Sequence, residues 1–370
     1  MKKILMTASV VTLAATGAFA GGFERSGNPV GFMFETGNYA ELSFGLISPK
    51  VNGRLSNPLL PAPGPSGDVS PTYRQFGFAI KTDLNEKISL GLSIDPSFGA
   101  DISYPLPSPG PINYPIRGTS AELNGDTIAL IGRYKFNESF SAHAGIRSVS
   151  VGGNVAIVNG GTPVYQASFD TDRDVGYLIG AAFEKKEIAL RVALTYQSAT
   201  THNLSTTVAG NPVPSALYPE VELPQSLTLD FQSGVAANTL VFGSIRWADW
   251  TSTELNAPLY PLNPLVGYED DTITYNIGVG RKFNDQWSGA VSIGYEKAGG
   301  GIQQNLSPTD GYVSIGVGAT YTSGNMKITG GVRYVDIGNA VALEGAPGVA
   351  NAAFNGNSAL GVGIKVGYTF

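Results

Sequence analysis

The chain has 370 residues, of which 14% are charged, with 48 glycines, 17 tyrosines, 17 phenylalanines, no cysteine and a formal charge of −6. Soluble domains carry about a quarter charged residues, so an ordinary soluble surface is excluded, and the mildly acidic balance gives no footing for nucleic acid. Past the N-terminus no stretch reaches the ~18 consecutive apolar residues of a membrane helix, and the absence of cysteine removes any disulfide framework.

The first twenty residues, MKKILMTASVVTLAATGAFA, combine Lys2 and Lys3, an apolar stretch from Ile4, and the small-x-small run Ala18-Phe19-Ala20. That is the pattern of a cleavable secretory signal, with Gly21 as the expected first mature residue. Residues 21–37 form a short plug-like segment ahead of the first strand, and 38–370 read as one β domain.

From residue 38 the hydropathy alternates. AELSFGLIS sets Leu42, Phe44 and Leu46 against Glu41, Ser43 and Gly45; IALRVALTYQ sets Leu190, Val192 and Leu194 against Arg191 and Thr195. SALGVGIKVGYTF sets Leu360, Val362, Ile364, Val366, Tyr368 and Phe370 against glycines, Lys365 and Thr369. Period two is the mark of strands with two unlike faces. Fourteen strands are predicted, near 38–50, 71–83, 87–98, 119–137, 140–157, 167–184, 188–207, 221–236, 239–255, 270–283, 287–298, 310–322, 326–342 and 357–370.

Short turns such as DLNEK, FNES and TSGN follow the even strands before the last; long Pro/Gly/Asn-rich loops follow the odd ones. An even strand number with turns sorted in this way predicts an all-β, antiparallel transmembrane barrel of the bacterial outer membrane. Closure leaves no unpaired backbone edge in hydrocarbon, so the apolar face is expected to look outward into lipid; a monomer is expected, with the oligomeric state left open. The terminal aromatics fall where an interfacial girdle belongs.

The third strand contains LSIDPSFGADISYP. Pro96 cannot donate to a ladder and Gly99 permits a bend, so pairing is expected to break mid-wall around Pro96, Phe98 and Gly99. The alternative is a strand that simply ends at Asp95.

Several segments together resemble the FadL-type outer-membrane transporters of long-chain fatty acids and other hydrophobic compounds. They are ALTYQSAT at 193–200, LPQSLTLDF at 223–231 running into FGSIRWADW at 242–250, and YEDDTITYNIGVGRKFNDQWSGAVSIGYE at 268–296. SPTDGYVSIGVGATY at 307–321 and the terminal YTF complete the set. The resemblance implies a barrel closed by an N-terminal hatch, with a kinked third strand that leaves a gap through which ligand departs sideways into the membrane. Asn28-Pro29-Val30 is similar to the Asn-Pro-Ala at the end of the family's hatch. The sequence departs from the family in length here, because only seven residues separate the expected cleavage point from Asn28.

Strand parity turns Glu41, Lys81, Asp95, Arg133, His143, Arg147, Arg191, Asp230, Arg246, Glu296, Arg333 and Lys365 inward. Arginine suits a carboxylate through paired N–H donors. Arg147, Arg191, Arg246 and Arg333 are therefore candidates to hold a fatty-acid headgroup, with Phe32 and Phe34 lining a pocket for the tail. The competing reading is that inward charges pair with one another across strands. The run Glu269-Asp270-Asp271 is read as a solvated rim, with Ca²⁺ bridging to lipopolysaccharide phosphates as the alternative. With only His143 and His202, and no catalytic motif, the chain is read as no enzyme, with no cofactor and no resident metal.

The expected function is passive transport of hydrophobic small molecules, long-chain fatty acids or similar, across the outer membrane, with lateral exit at strand 3. Its partners are the ligand and the surrounding lipid and lipopolysaccharide, with no nucleic acid. The alternatives are a general aqueous porin and a structural surface protein. A porin would need a charged constriction fed by an inward-folded loop, and no loop is strongly charged. Fatty acid, aromatic hydrocarbon and acyl signal all remain open as ligands.

Overall fold

A computed structural model describes residues 22–56, 64–106, 114–210, 217–343 and 351–370; the expected signal sequence, 1–20, lies outside them. Fourteen antiparallel strands form the wall: β1 Tyr39–Lys50, β2 Tyr73–Asp83, β3 Ile88–Ser103, β4 Ser120–Lys135, β5 Phe140–Asn159, β6 Thr162–Lys185 and β7 Leu190–Gln197, followed by β8 Ser226–Ala236, β9 Thr239–Ala248, β10 Thr272–Lys282, β11 Trp287–Glu296, β12 Tyr312–Ser323, β13 Met326–Ile337 and β14 Asn357–Thr369. Each strand pairs with its sequence neighbours, and β1 pairs with β14 from Tyr39↔Thr369 to Lys50↔Ser358, which closes the cylinder.

The alternation read from the sequence becomes an inverted protein. One row runs Val279↔Val291↔Val317↔Val332↔Val362↔Leu46 across six strands, and every member is exposed. The polar side chains Lys81, Arg133, His143, Arg147, Thr195 and Arg333 are buried. A surface of branched apolar residues around a polar interior is stable only where the outer solvent is hydrocarbon. Aromatic pairs mark the short-turn rim: Tyr134 with Phe136 at 5.2 Å, Trp287 with Tyr321 at 5.0 Å, and Tyr368 with Phe370 at 6.5 Å between ring centroids.

At the other rim several expected boundaries change. The connection between β5 and β6 is not a long loop. Both strands continue past the wall and turn at Gly160-Gly161, whose φ values of +58° and +82° supply a two-residue hairpin turn. The alternation beyond β7, β9 and β13 is real, but its partners lie off the wall. Thr200–Asn203 pairs with Glu220–Leu223, Glu254–Leu255 with Val266–Gly267, and Ala340–Leu343 with Asn351–Phe354. The last pair belongs to a five-stranded sheet with Asn52–Ser56, Pro65–Asp68 and Ile302–Gln303, built from three separate connections. Its core includes Val51, Leu55, Tyr104, Tyr114 and Phe354.

An epitope inserted at Pro63 or near Asn263 is expected to be labelled on intact cells. One at Glu138 or Lys185 should stay hidden until the outer membrane is broken, and the reverse pattern would invert the topology.

Candidate functional site

Residues 22–37 lie inside the barrel, and the wall is shaped to receive them. Near the short-turn rim Val30, Phe32, Met33 and Tyr39 form one buried cluster with Ala79, Ala129, Ile131 and Leu178. Gly91 on β3 makes room, since a Cβ there would stand 2.2 Å from the Met33 sulfur. Cations of the wall hold the backbone of the segment. The Lys81 ammonium donates to the carbonyls of Glu35 and Gly37, each at 2.7 Å, and the Arg133 guanidinium donates to the Met33 carbonyl at 3.2 Å while pairing with Glu184. Arg133 and Arg191 both lie over the Phe34 ring, at 4.2 and 4.8 Å from its centroid. Lys327 pairs with Glu35 at 3.1 Å.

Above this level the contacts are polar. Arg246 reaches both carboxylate oxygens of Glu24, at 2.9 and 2.5 Å, a forked geometry that guanidinium and carboxylate share. The Gln197 amide donates to the Gly27 carbonyl at 3.0 Å, and Arg147 donates to the Ser198 carbonyl at 3.3 Å. Asn28 has φ +50°, a left-handed turn that asparagine tolerates better than most residues.

The third strand neither ends at Asp95 nor keeps its register. Asp95 pairs with Thr127 and Phe98 with Gly125, so Pro96 and Ser97 stand opposite the single Asp126, a β-bulge. On the other edge, β2 and β3 pair only as far as Phe78↔Ile94. Above that point Tyr73–Gly77 of β2 has no ladder partner on β3, until the Ser103 N–H donates to the Val69 carbonyl at 2.8 Å.

The N-terminal segment occupies the vacated edge. The N–H groups of Arg25 and Ser26 donate to the Ser97 carbonyl at 2.7 and 3.2 Å, and the Gly99 N–H donates to the Phe23 carbonyl at 2.8 Å. The Gln75 side chain donates to the Arg25 carbonyl at 2.9 Å, and Arg25 pairs with Asp101 at 2.5 Å while lying 4.4 Å from the Tyr73 ring. The Ser97 hydroxyl donates to the Asn28 side-chain oxygen at 2.8 Å, which ties the asparagine-proline motif to the bulge. Gly99 lies close against Arg25: a Cβ would fall 2.5 Å from the guanidinium, so that side chain would have to move.

Next to this interruption is an apolar cavity of about 110 Å³. Its wall includes Phe23, Ala100, Ile102, Leu123, Val151 and Phe169. Phe23 packs on Trp250 at 5.0 Å and on Phe98 at 6.1 Å, both edge-on. Leu265, Tyr268, Gln304 and Leu306 form a partition shared with a larger vestibule of about 1090 Å³ at the long-loop rim. Burial pushes the Tyr268 phenol well above its ordinary value, so it stays neutral.

Of the residues singled out from sequence, Phe98 and Gly99 meet Phe23 and Arg25 at the interruption. Arg147, Arg191, Arg246 and Arg333 all face the lumen, but none lines the apolar cavity, and neither do Phe32 and Phe34. Arg246 is already engaged by a carboxylate, as the pairing alternative expects. Glu269 and Asp270 line the vestibule, and Asp271 accepts hydrogen bonds from the Thr251 N–H at 3.1 Å and the Trp247 indole at 3.0 Å. Among the described residues no three acidic or histidine side chains converge on a metal position. Sequence reasoning missed Phe23, Arg25, Gln75 and Trp250; the single large apolar residue in GGFERSG was the available signal.

Together these features define a closed fourteen-stranded barrel with an occupied lumen and a ladder interrupted between its second and third strands. No family model and no curated protein matches the sequence. Solved structures do share the fold. A Pseudomonas aeruginosa FadL homologue superimposes with a TM-score of 0.74 at 13% identity, covering 93% of each chain. The Pseudomonas putida toluene transporter TodX gives 0.64 at 14% identity, covering 96% of this chain and 97% of its own. The Ralstonia pickettii toluene transporter TbuX gives 0.61 at 14% identity with the same coverage.

Proposed function

We propose that this chain is a plugged outer-membrane transporter that passes hydrophobic small molecules by passive diffusion. Ligand enters the vestibule, settles in the apolar cavity, and leaves sideways between β2 and β3 into the membrane once Phe23–Ser26 yield the β3 edge that they occupy here. The observation that carries this reading is the position of the cavity: it abuts the interrupted ladder, while the lumen below it holds a polar layer with Arg147, Gln197 and Arg246 and is filled by the rest of the N-terminal segment. An apolar molecule gains nothing by descending past Arg147, Arg191 and Arg246, whereas a sideways step returns it to hydrocarbon at about 0.8 kcal/mol per CH₂. The fold shared with a FadL homologue and with toluene transporters supports the same class of cargo.

The experiment is uptake of a panel of labelled hydrophobic compounds by cells that lack their own transporters of this kind, with and without this chain. Uptake of at least one compound is expected to depend on the protein, with small-sugar entry unchanged. Increased sugar entry without hydrophobic uptake would replace this reading with the aqueous porin.

A further inference from the structure

Above the outward apolar belt, one sector of the barrel carries a stripe of cations. On β1 the outward residues run Leu42, Phe44, Leu46, Ser48 and Lys50; on β2 they run Phe78, Phe76, Arg74 and Thr72. Lys50 and Arg74 are exposed. The strand Asn52–Ser56 carries the line of β1 past the rim with the same parity: Val51 and Leu55 are buried, Asn52 and Arg54 exposed. Leu46 stands opposite Arg74, so Lys50 lies four residues above that level and Arg54 four above Lys50, about 13 Å per step. Between Arg74 and Lys50 the outward surface is uncharged, and the Thr72 hydroxyl donates to Ser48 at 3.1 Å.

Among the described residues, Lys50, Arg54 and Arg74 take part in no ion pair. Two acids border the stripe. Asp68, opposite Asn52, accepts the N–H groups of Val51 at 3.0 Å and Ser70 at 3.3 Å. Asp336 stands two strands away from Lys50, with Ser358 between them. The loop segments outside the described residues, 57–63, 107–113, 211–216 and 344–350, hold one charged residue, Glu344, which cannot offset three cations spread over such a length. The other outward cation of the wall strands at this rim, Arg173 on β6, is paired with Asp126 at 3.1 Å.

Height identifies what the stripe faces. The outward apolar residues of β1 and β2 end at Leu46 and Phe76. Arg74 and Lys50 therefore stand where hydrocarbon gives way to headgroups, and Arg54 stands beyond that level. In the outer leaflet of a bacterial outer membrane this level holds the phosphates of lipopolysaccharide, with its acidic sugars above them. A phospholipid has one phosphate at the interface and no anion farther out. Guanidinium and ammonium groups both take phosphate oxygens through charge-assisted hydrogen bonds.

We infer that the outward stripe Arg74–Lys50–Arg54 binds lipopolysaccharide, with Arg74 and Lys50 on the lipid phosphates and Arg54 on the acidic sugars. The inference stands apart from the transport reading and needs only the barrel's place in the outer membrane. Arg74 belongs to the stretch of β2 without a ladder partner on β3, so the glycolipid borders the outer mouth of the interruption.

The test titrates the purified full-length barrel in detergent with fluorescently labelled, truncated lipopolysaccharide that ends at its first acidic sugars, followed by polarisation. A chelator is present throughout, so that carboxylates such as Asp336 cannot hold phosphate through a divalent cation. Exchanging any one of the three cations for glutamine is expected to weaken binding about fivefold, and the triple variant Lys50→Gln/Arg54→Gln/Arg74→Gln about 100-fold. The control, Lys87→Gln/Lys186→Gln/Arg281→Gln, removes the same charge at the short-turn rim and should bind as the unsubstituted protein does. All six side chains are exposed, so both variants should keep the heat-modifiable mobility of a folded barrel. With lipid A that lacks sugars, Arg54→Gln should have no effect, while Lys50→Gln and Arg74→Gln keep theirs.

Equal affinity of the two triple variants overturns the site, because net charge alone would then decide binding. Equal losses with phosphatidylglycerol overturn the choice of lipopolysaccharide, and sensitivity of lipid A binding to Arg54→Gln overturns the order of the stripe.

Discussion

Deleting Pro96 from β3 is expected to reduce uptake of hydrophobic ligand to the level of cells that lack the protein. The bulge sets Pro96 and Ser97 against Asp126 alone, so removing one residue restores a one-to-one register from Asp95↔Thr127 through Phe98↔Gly125. Every side chain above and below keeps its face, because the two flanking pairs already agree in parity. With the bend removed, Gly77, Phe76, Gln75 and their neighbours on β2 can continue the ladder that now stops at Phe78↔Ile94. Each added backbone hydrogen bond contributes about 0.5–1.5 kcal/mol. New bonds between β2 and β3 replace the three that the N-terminal segment makes with Ser97 and Gly99, so the variant should stay folded, judged by heat-modifiable gel mobility, while uptake falls at matched abundance. The substitution Pro96→Val supplies the missing donor but keeps the extra residue, and should have a smaller effect. A bulky residue at Gly99 is a poorer test, because it strikes Arg25 and disturbs the N-terminal segment as well. Normal uptake by the deletion variant would mean that ligand leaves by another route.

Removing residues 22–36 is expected to turn a quiet protein into one with large, steady ion conductance in planar bilayers. The barrel should still close, because β1 and β14 pair along their whole length without help from this segment. Lys81 and Arg133 lose backbone carbonyls as partners, but water entering the lumen takes their place, so the charges are not stranded. Glu24 and Glu35 depart together with the segment, while Arg246 and Lys327, which they neutralise, remain. The opened pore should accordingly prefer anions. The readout is single-channel conductance with a reversal potential measured in a salt gradient. Conductance that stays near zero would show that the loop sheet, rather than the N-terminal segment, seals the barrel.

The wall was readable because its code is local. A strand such as Tyr312–Ser323 writes Val313, Ile315 and Val317 outward with no reference to its neighbours. The short turns were equally plain. The five-stranded sheet at the opposite rim was not, since its members are two to five residues long and come from three distant connections. No periodicity accumulates over Ile302–Gln303. The interruption at β3 was signalled by Pro96 and Gly99, yet nothing in those residues said that Phe23–Ser26 would occupy the free edge. That depends on a contact across about seventy positions of sequence, carried by backbone groups common to all residues. The cavity was missed for a related reason. Parity identifies which side chains face inward but not their height along the axis, so it could not say which of the inward residues lie beside the cavity.

The outward apolar row from Val279 to Leu46 exists only in the assembled wall. Each strand contributes one member to it, the outward residues of a strand alternate with inward ones that are mostly small or polar, and no strand by itself would partition into a bilayer as a helix does. A translocating chain of this kind offers the inner membrane nothing to retain, and its lipid affinity is switched on by pairing. Delivery to the correct membrane is thus a property of folding order: the hydrophobic label is assembled at the destination rather than carried along the way.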